Sequence, residues 1–229
     1  MHVKVNLKIF IFLFLFFITN QIQLYFMIML FAILHELGHL IAGFIFKFKV
    51  EKIELLPIGV SISFSIPVEE YNQKIGKGNA LEIKKILIAL AGPIINFLIA
   101  FVTLVLDFSF LGELAISIVY ANLLIALFNL LPIYPLDGGR VLKNLLHIIK
   151  GKKEALTLTN LISNIILSIL TAIGSIAILY LKNIAIPLIL LYLWVVVIRE
   201  NKRYQLKMNL YEMIEKQEKT MIQCNKIDV

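Results

Sequence analysis

An all-α polytopic membrane protein with about six transmembrane helices is what composition, apolar runs and charge placement point to. The chain has 229 residues, 60% of them hydrophobic and 16% charged. A soluble domain averages about 45–50% apolar and about 25% charged. The excess excludes a soluble globular enzyme, a disordered chain and a fibrous repeat. Apolar runs fall at about 8–20, 24–46, 84–106, 111–131, 156–181 and 184–198. The second run, Leu24–Phe46, makes about 34 Å of helix against a hydrocarbon core of roughly 30 Å. The first resembles the core of a signal peptide, Lys8 followed by Ile9–Ile18. No small-residue cleavage site follows, only Thr19 to Gln23, so it reads as an uncleaved first span. The last run is short.

Charge sets the direction. Of the 22 basic residues, all but Lys182 lie before the first run, between the second and third with their flanks, after the fourth, or in the tail. The positive-inside rule then places both termini in the cytoplasm of a bacterial-type cell membrane. The net charge of +7 is accounted for by topology and contact with the anionic bilayer surface, and it calls for no nucleic acid. Cys224 is the only cysteine, which excludes an internal disulfide framework and a cysteine-based metal site. Residues 1–198 form the expected six-helix domain and 199–229 a basic, amphipathic cytoplasmic tail. In that tail Leu210, Met213, Ile214, Gln217 and Met221 make a partial helical stripe suited to the inner leaflet or a partner.

Between the second and third runs, Val60 to Ile66 alternates with period two, the mark of a strand. Glu51–Leu56 pairs with it through the turn Pro57-Ile58-Gly59, giving a small membrane-associated β-hairpin. A protease needs an extended substrate backbone, and the edge of such a hairpin offers one by strand addition. Lys74 to Gly78 lacks the spacing of a phosphate loop and reads as a solvated turn.

Chemistry concentrates in the second run, at His35-Glu36-Leu37-Gly38-His39. Positions i and i+4 share a helical face, so both imidazoles reach one metal ion. Glu36 is turned about 100° from His35 and reaches a water on that metal without ligating it. Ionisable groups in a lipid-embedded run cost a few kcal/mol each and usually mark function. A catalytic zinc has three protein ligands and an open position. Asp107 and Glu113 flank a short loop on the outer side, away from the inner half of the second span. Asp137, in Pro132-Ile133-Tyr134-Pro135-Leu136-Asp137-Gly138-Gly139, lies at the matching cytoplasmic depth, where the prolines prevent regular helix and the glycines relax the backbone. His147 lies outside both motifs and is not expected to ligate.

The motif His35 to His39, followed by Leu136-Asp137-Gly138-Gly139-Arg140 and with Ala91-Gly92-Pro93-Ile94-Ile95-Asn96 between them, resembles the site-2 protease family of intramembrane zinc metalloproteases. The match runs over residues 30–145. The resemblance implies one zinc ion held by His35, His39 and Asp137, with Glu36 as general base. It gives Asn129 a part in positioning substrate or stabilising the oxyanion. Asn96 is expected to pack helices through an interhelical hydrogen bond. Within the family the layout is similar to the stage IV sporulation protein FB group, which cleaves the membrane-associated precursor of a sporulation sigma factor. Lys47–Ile83 is too short for a PDZ domain, and the chain to Val229 lacks a CBS domain. The resemblance also implies a membrane-associated protein substrate and control by inhibitory membrane partner proteins. The rival expectation from the residues alone is a membrane metal transporter or metal-binding scaffold using the same His and Asp ligands.

Overall fold

Seven helices and three strands make up the described residues, 2–5, 7–19, 21–56, 59–65, 78–106, 112–181 and 185–227, of a computed structural model. Met1–Leu131 and Pro132–Val229 are two compact units.

The first unit holds α1 (Lys8–Ile18), α2 (Ile22–Ile45), α3 (Gly78–Val105) and α4 (Glu113–Asn129), with a sheet of β1 (His2–Val5), β2 (Lys49–Leu56) and β3 (Gly59–Ser65). On α2 the buried residues Phe31, Ala32, His35, Gly38, His39 and Gly43 recur at helical spacing and form one face. That face lies very close to α3. A Cβ added at Gly38 would stand 2.7 Å from the Ala91 carbonyl oxygen and 2.8 Å from Ile95 Cγ1. Small residues allow this approach in membrane helices, where packing rather than water drives association. Phe31, Ala121 and Ile125 form a buried cluster that joins α2 to α4, with Met27, Ile28 and Ile99 against it. The opposite faces, with Phe26, Leu30, Ile41 and Phe44 on α2 and Ile94, Leu98 and Phe101 on α3, are exposed. Apolar surface on this scale suits lipid rather than water.

α2 ends in a Schellman turn. The N–H of Phe48 donates to the Gly43 carbonyl at 2.9 Å and that of Lys47 to Phe44 at 3.0 Å. Lys47 takes the left-handed conformation, φ 61°, which glycine usually fills. The chain is thereby reversed out of the helix and into β2. The expected hairpin forms: β2 pairs antiparallel with β3, from Lys49↔Ser65 to Leu56↔Gly59, with an irregularity between Val50 and Lys52. Pro57, Ile58, Ile66 and Lys74 to Lys77 lie outside the described residues. Phe64 seats the hairpin on α2. A Cβ on Gly43 would come within 2.4 Å of the Phe64 ring, which meets the buried Phe48 edge-on at 6.4 Å.

The all-α expectation is corrected at one further point, because β1 adds to β2 in parallel and the strand order is β1-β2-β3. His2-Val3-Lys4-Val5 alternates polar and apolar, but four residues are too few to establish a strand from pattern alone. They are extended because β2 offers an open edge.

The second unit holds α5 (Asp137–Lys150), α6 (Lys152–Leu181) and α7 (Ala185–Ile227). Its core includes the fully buried Ile133, Leu167, Leu193 and Val197. Polar ties cross from α7 to α6: Trp194 Nε1 donates to Thr171 Oγ1 at 3.0 Å, and Asn201 Nδ2 to Asn164 Oδ1 at 3.0 Å. The sixth apolar run and the tail form one helix of 43 residues.

Among the described residues, three helical segments are long and apolar enough to cross a membrane, Ile22–Ile45, Asn79–Val105 and Lys152–Ala177. α4, at 17 residues, is apolar but shorter. α1 has 11 residues, about 16 Å of helix against a core of roughly 30 Å. The chain is thus a predominantly helical membrane protein, and by this measure the structure supplies three of the six expected spans.

Gly43→Val is expected to push Phe64 off α2. Overpacking of this kind costs about 1–3 kcal/mol. Helical circular dichroism should persist, while limited proteolysis should cut between β2 and β3 faster than in the parent.

Candidate metal centre

His35 and His39 lie one turn apart on α2, both buried at 3% and 2% exposure. Each ring is held through Nδ1. His39 Nδ1 lies 2.7 Å from the Ile88 carbonyl oxygen of α3, an atom that only accepts, so this nitrogen carries the hydrogen. Pro93, inside α3, has no N–H for the helix ladder and loosens the turn before it. The carbonyl that loses its donor is that of Ala89, next along the helix from the Ile88 carbonyl that receives His39.

His35 is fixed by a longer relay whose polarity is forced. The Ile118 carbonyl accepts from Asn122 Nδ2 at 2.9 Å. The Asn122 oxygen therefore faces Asn96, which donates through Nδ2 at 2.9 Å and more weakly to the Phe31 carbonyl at 3.5 Å. The Asn96 oxygen in turn faces His35 Nδ1, 2.6 Å away. Both asparagines are fully buried. His35 is thus a donor at Nδ1, and its Nε2 bears a lone pair.

The two Nε2 atoms stand 3.2 Å apart. With both hydrogens on Nδ1, this is no hydrogen bond but two lone pairs facing a common point. Two nitrogens bound about 2.0–2.1 Å from one tetrahedral ion lie roughly 3.3 Å apart. α3 leaves room there. A Cβ on Gly92 would stand 2.5 Å from His39 Nε2 and 2.6 Å from His35 Nε2. The donor set, its tautomers and this cradle fit a metal ion.

Asp137 is the first residue of α5, where the helix dipole favours a carboxylate. It is 4% exposed. Pro132 and Pro135 stand in the non-helical segment before it, as expected, and Gly138 and Gly139 belong to the first turn of α5 rather than to a loop. Gly139 is needed for closeness. A Cβ there would meet Tyr134 N and the Ile133 carbonyl carbon at 2.4 Å. Arg140 ties the segment, donating from Nε to the Pro135 carbonyl at 3.0 Å with its guanidinium 3.7 Å from Asp137 Oδ1. His35 and His39 belong to the first unit and Asp137, the third candidate ligand, to the second.

Glu36 is half-buried beside His35 on α2. Asn129 ends α4 and donates from Nδ2 to the Ile125 carbonyl at 3.0 Å. His147 sits in the last turn of α5. Sequence reasoning gave Asn96 an interhelical bond but missed that its other end orients His35. It missed Asn122 altogether. The available signal was the rarity of amide side chains in apolar spans.

The sequence profile of peptidase family M50 matches residues 23–117 and 109–173. The chain belongs to peptidase family M50. This is the site-2 protease family, and the match takes in both His residues and Asp137. The M50 chain is 34% identical over 129 residues to a zinc metalloprotease of Methanocaldococcus jannaschii, an alignment that covers 54% of this chain and 34% of the relative. It is 30% identical over 127 residues to stage IV sporulation protein FB of Bacillus subtilis, covering 55% of this chain and 41% of that protein. It therefore spans well under half the length of these curated relatives. The solved site-2 protease of Methanocaldococcus jannaschii superposes with a TM-score of 0.63 at 25% identity, covering 87% of this chain and 91% of that one.

Gly92→Ala should fill the metal cradle, and elemental analysis should find metal content falling towards zero in a protein of unchanged helicity. Asn96→Leu removes the acceptor that orients His35, and metal affinity is expected to fall about 10–100-fold, read by chelator competition.

Proposed function

We propose that this M50 chain is an intramembrane zinc metalloprotease that hydrolyses a peptide bond within or beside a membrane segment of a protein substrate. The observation that carries the reading is the pair of imidazoles with fixed tautomers and Nε2 atoms 3.2 Å apart in a chain of this family. His35, His39 and Asp137 would hold one zinc ion. When bound, zinc acts as a Lewis acid on the scissile carbonyl and acidifies water at neutral pH.

The chain's own groups handle the protons and the substrate. Glu36 takes a proton from the attacking water and passes it to the leaving amide nitrogen. Asn129 uses one amide hydrogen on Ile125, and its second is available to a substrate carbonyl. Among the described residues no strand pairs with the outer edge of β3, and that edge gives a substrate strand a ladder to extend along. Phe64 seats that strand over Gly43, one helical turn beyond His39. A substrate helix must unwind to use such an edge, so helix-breaking residues near the cut should speed cleavage.

The topology proposed is six apolar runs with both termini cytoplasmic. The parallel pairing of β1 with β2 supports it by putting the N-terminus beside the segment that follows α2. Substrate access and inhibitory membrane partners are the proposed means of control.

The test compares metal content and cleavage of a pool of single-span membrane peptides, with products read by mass spectrometry. Glu36→Gln should keep about one zinc and lose roughly 10²–10⁴-fold in turnover, while Asp137→Ala should lose both metal and turnover. Full turnover in Glu36→Gln, or full zinc in Asp137→Ala, would sink the assignment. Metal flux without peptide products would favour transport instead.

A further inference from the structure

The second unit has a solvent-open cleft walled by Tyr134, α5, α6 and α7. Two of its lining residues carry buried polar atoms with no hydrogen-bond partner among the described residues, Thr159 Oγ1 and Asn201 Oδ1. Thr159 is 3% exposed. A native structure rarely leaves such atoms unmatched, and each asks for a partner. Asn201 has committed its Nδ2 to Asn164, so its oxygen requires a donor. The Thr159 hydroxyl gives or accepts. Around these two atoms stand Lys143, Arg203 and Lys207. Glu200 also lines the cleft and offsets one positive charge through its 2.6 Å ion pair with Arg203. With Arg203 so paired, Lys207 still leaves the lining positive, which favours an anion.

The ligand must therefore be negatively charged and also carry donors. An ammonium group supplies donors, but the local charge opposes it. A hydroxyl does not meet that opposition. We propose that the cleft binds a phosphate ester bearing free hydroxyls, of the glycerol phosphate type, with the phosphate on the basic residues and a hydroxyl between Thr159 and Asn201. The setting favours a lipid headgroup as the source. Asn201, Arg203 and Lys207 follow directly on the apolar run that ends at Ile198, and Thr159 opens the apolar part of α6. Tyrosines such as Tyr134 and Tyr204 mark the headgroup layer. The ligand also braces the segment that leads to Asp137. The Tyr134 N–H donates to Ser163 Oγ at 2.9 Å, and Lys143 lies 4.7 Å over its ring.

The test uses the full chain in phosphatidylcholine nanodiscs, with thermal unfolding as the readout. Doping with phosphatidylglycerol should raise Tm by several degrees, more than phosphatidic acid or phosphatidylethanolamine at equal content, because a ligand that binds only the folded state stabilises it. Thr159→Val deletes one hydroxyl at constant shape. It should be no less stable than the parent in plain discs, since the atom removed has no protein partner. It should lose the preference for phosphatidylglycerol over phosphatidic acid. Lys207→Gln should weaken the response to both anions. The same shift from soluble glycerol phosphate in plain discs would support the site and assign a free ligand. Equal shifts from all anionic lipids, a preference that survives Thr159→Val, or no shift from any ligand would overturn the proposal.

Discussion

Everything at the metal centre depends on where two hydrogens sit. An imidazole that carries its hydrogen on Nε2 cannot ligate through that atom, and a ring free to rotate loses affinity by averaging over poses. In this chain both choices are made by backbone carbonyls, which have no alternative but to accept. Ile88 fixes His39 directly. Ile118 fixes His35 through two buried asparagines, so a carbonyl on α4 determines the state of a ring on α2. Because α2, α3 and α4 each supply a member, the relay is satisfied only when all three helices are in register. The polar network thus specifies the packing as well as the chemistry.

The second requirement is room. Membrane helices have little hydrophobic drive towards one another, so close packing must come from shape. Gly38 brings the α3 backbone against α2, and Gly92 sits at the point both imidazoles face. Close approach and an empty cradle pull in opposite directions, since helices drawn together tend to fill the space between them. A glycine opposite the two His residues meets both demands. It shortens the distance between backbones and contributes no side-chain atoms at the point both imidazoles face.

Much of this was legible in the sequence because local geometry forces it. His35 and His39 had to share a face once the run was helical, and the alternation in Val60–Ser65 had to become a strand. The prolines before Asp137 marked the non-helical segment that ends where it opens α5. What escaped depended on partners distant in the chain. The alternation in His2–Val5 is too short to predict β1 without the edge of β2 beside it. Asn96 announces that it needs a hydrogen bond, but not that His35 is the recipient or that Asn122 completes the chain. Thr159 and Asn201 look like ordinary polar residues on two helices until the fold buries their oxygens in the walls of one cleft. The continuity of α7 was also hidden, because the change from apolar to charged after Ile198 looks like a boundary in composition although the backbone hydrogen bonding continues through it.

That continuity gives α7 a mechanical character. A helix of 43 residues is about 64 Å long, roughly twice the hydrocarbon thickness. The portion after Ile198 accounts for about 43 Å of it. Such a rod works as a ruler. Whatever docks at its far end is held at a set distance from the root, and a sideways pull at the tip becomes torque there, where Trp194 and Asn201 fasten α7 to α6.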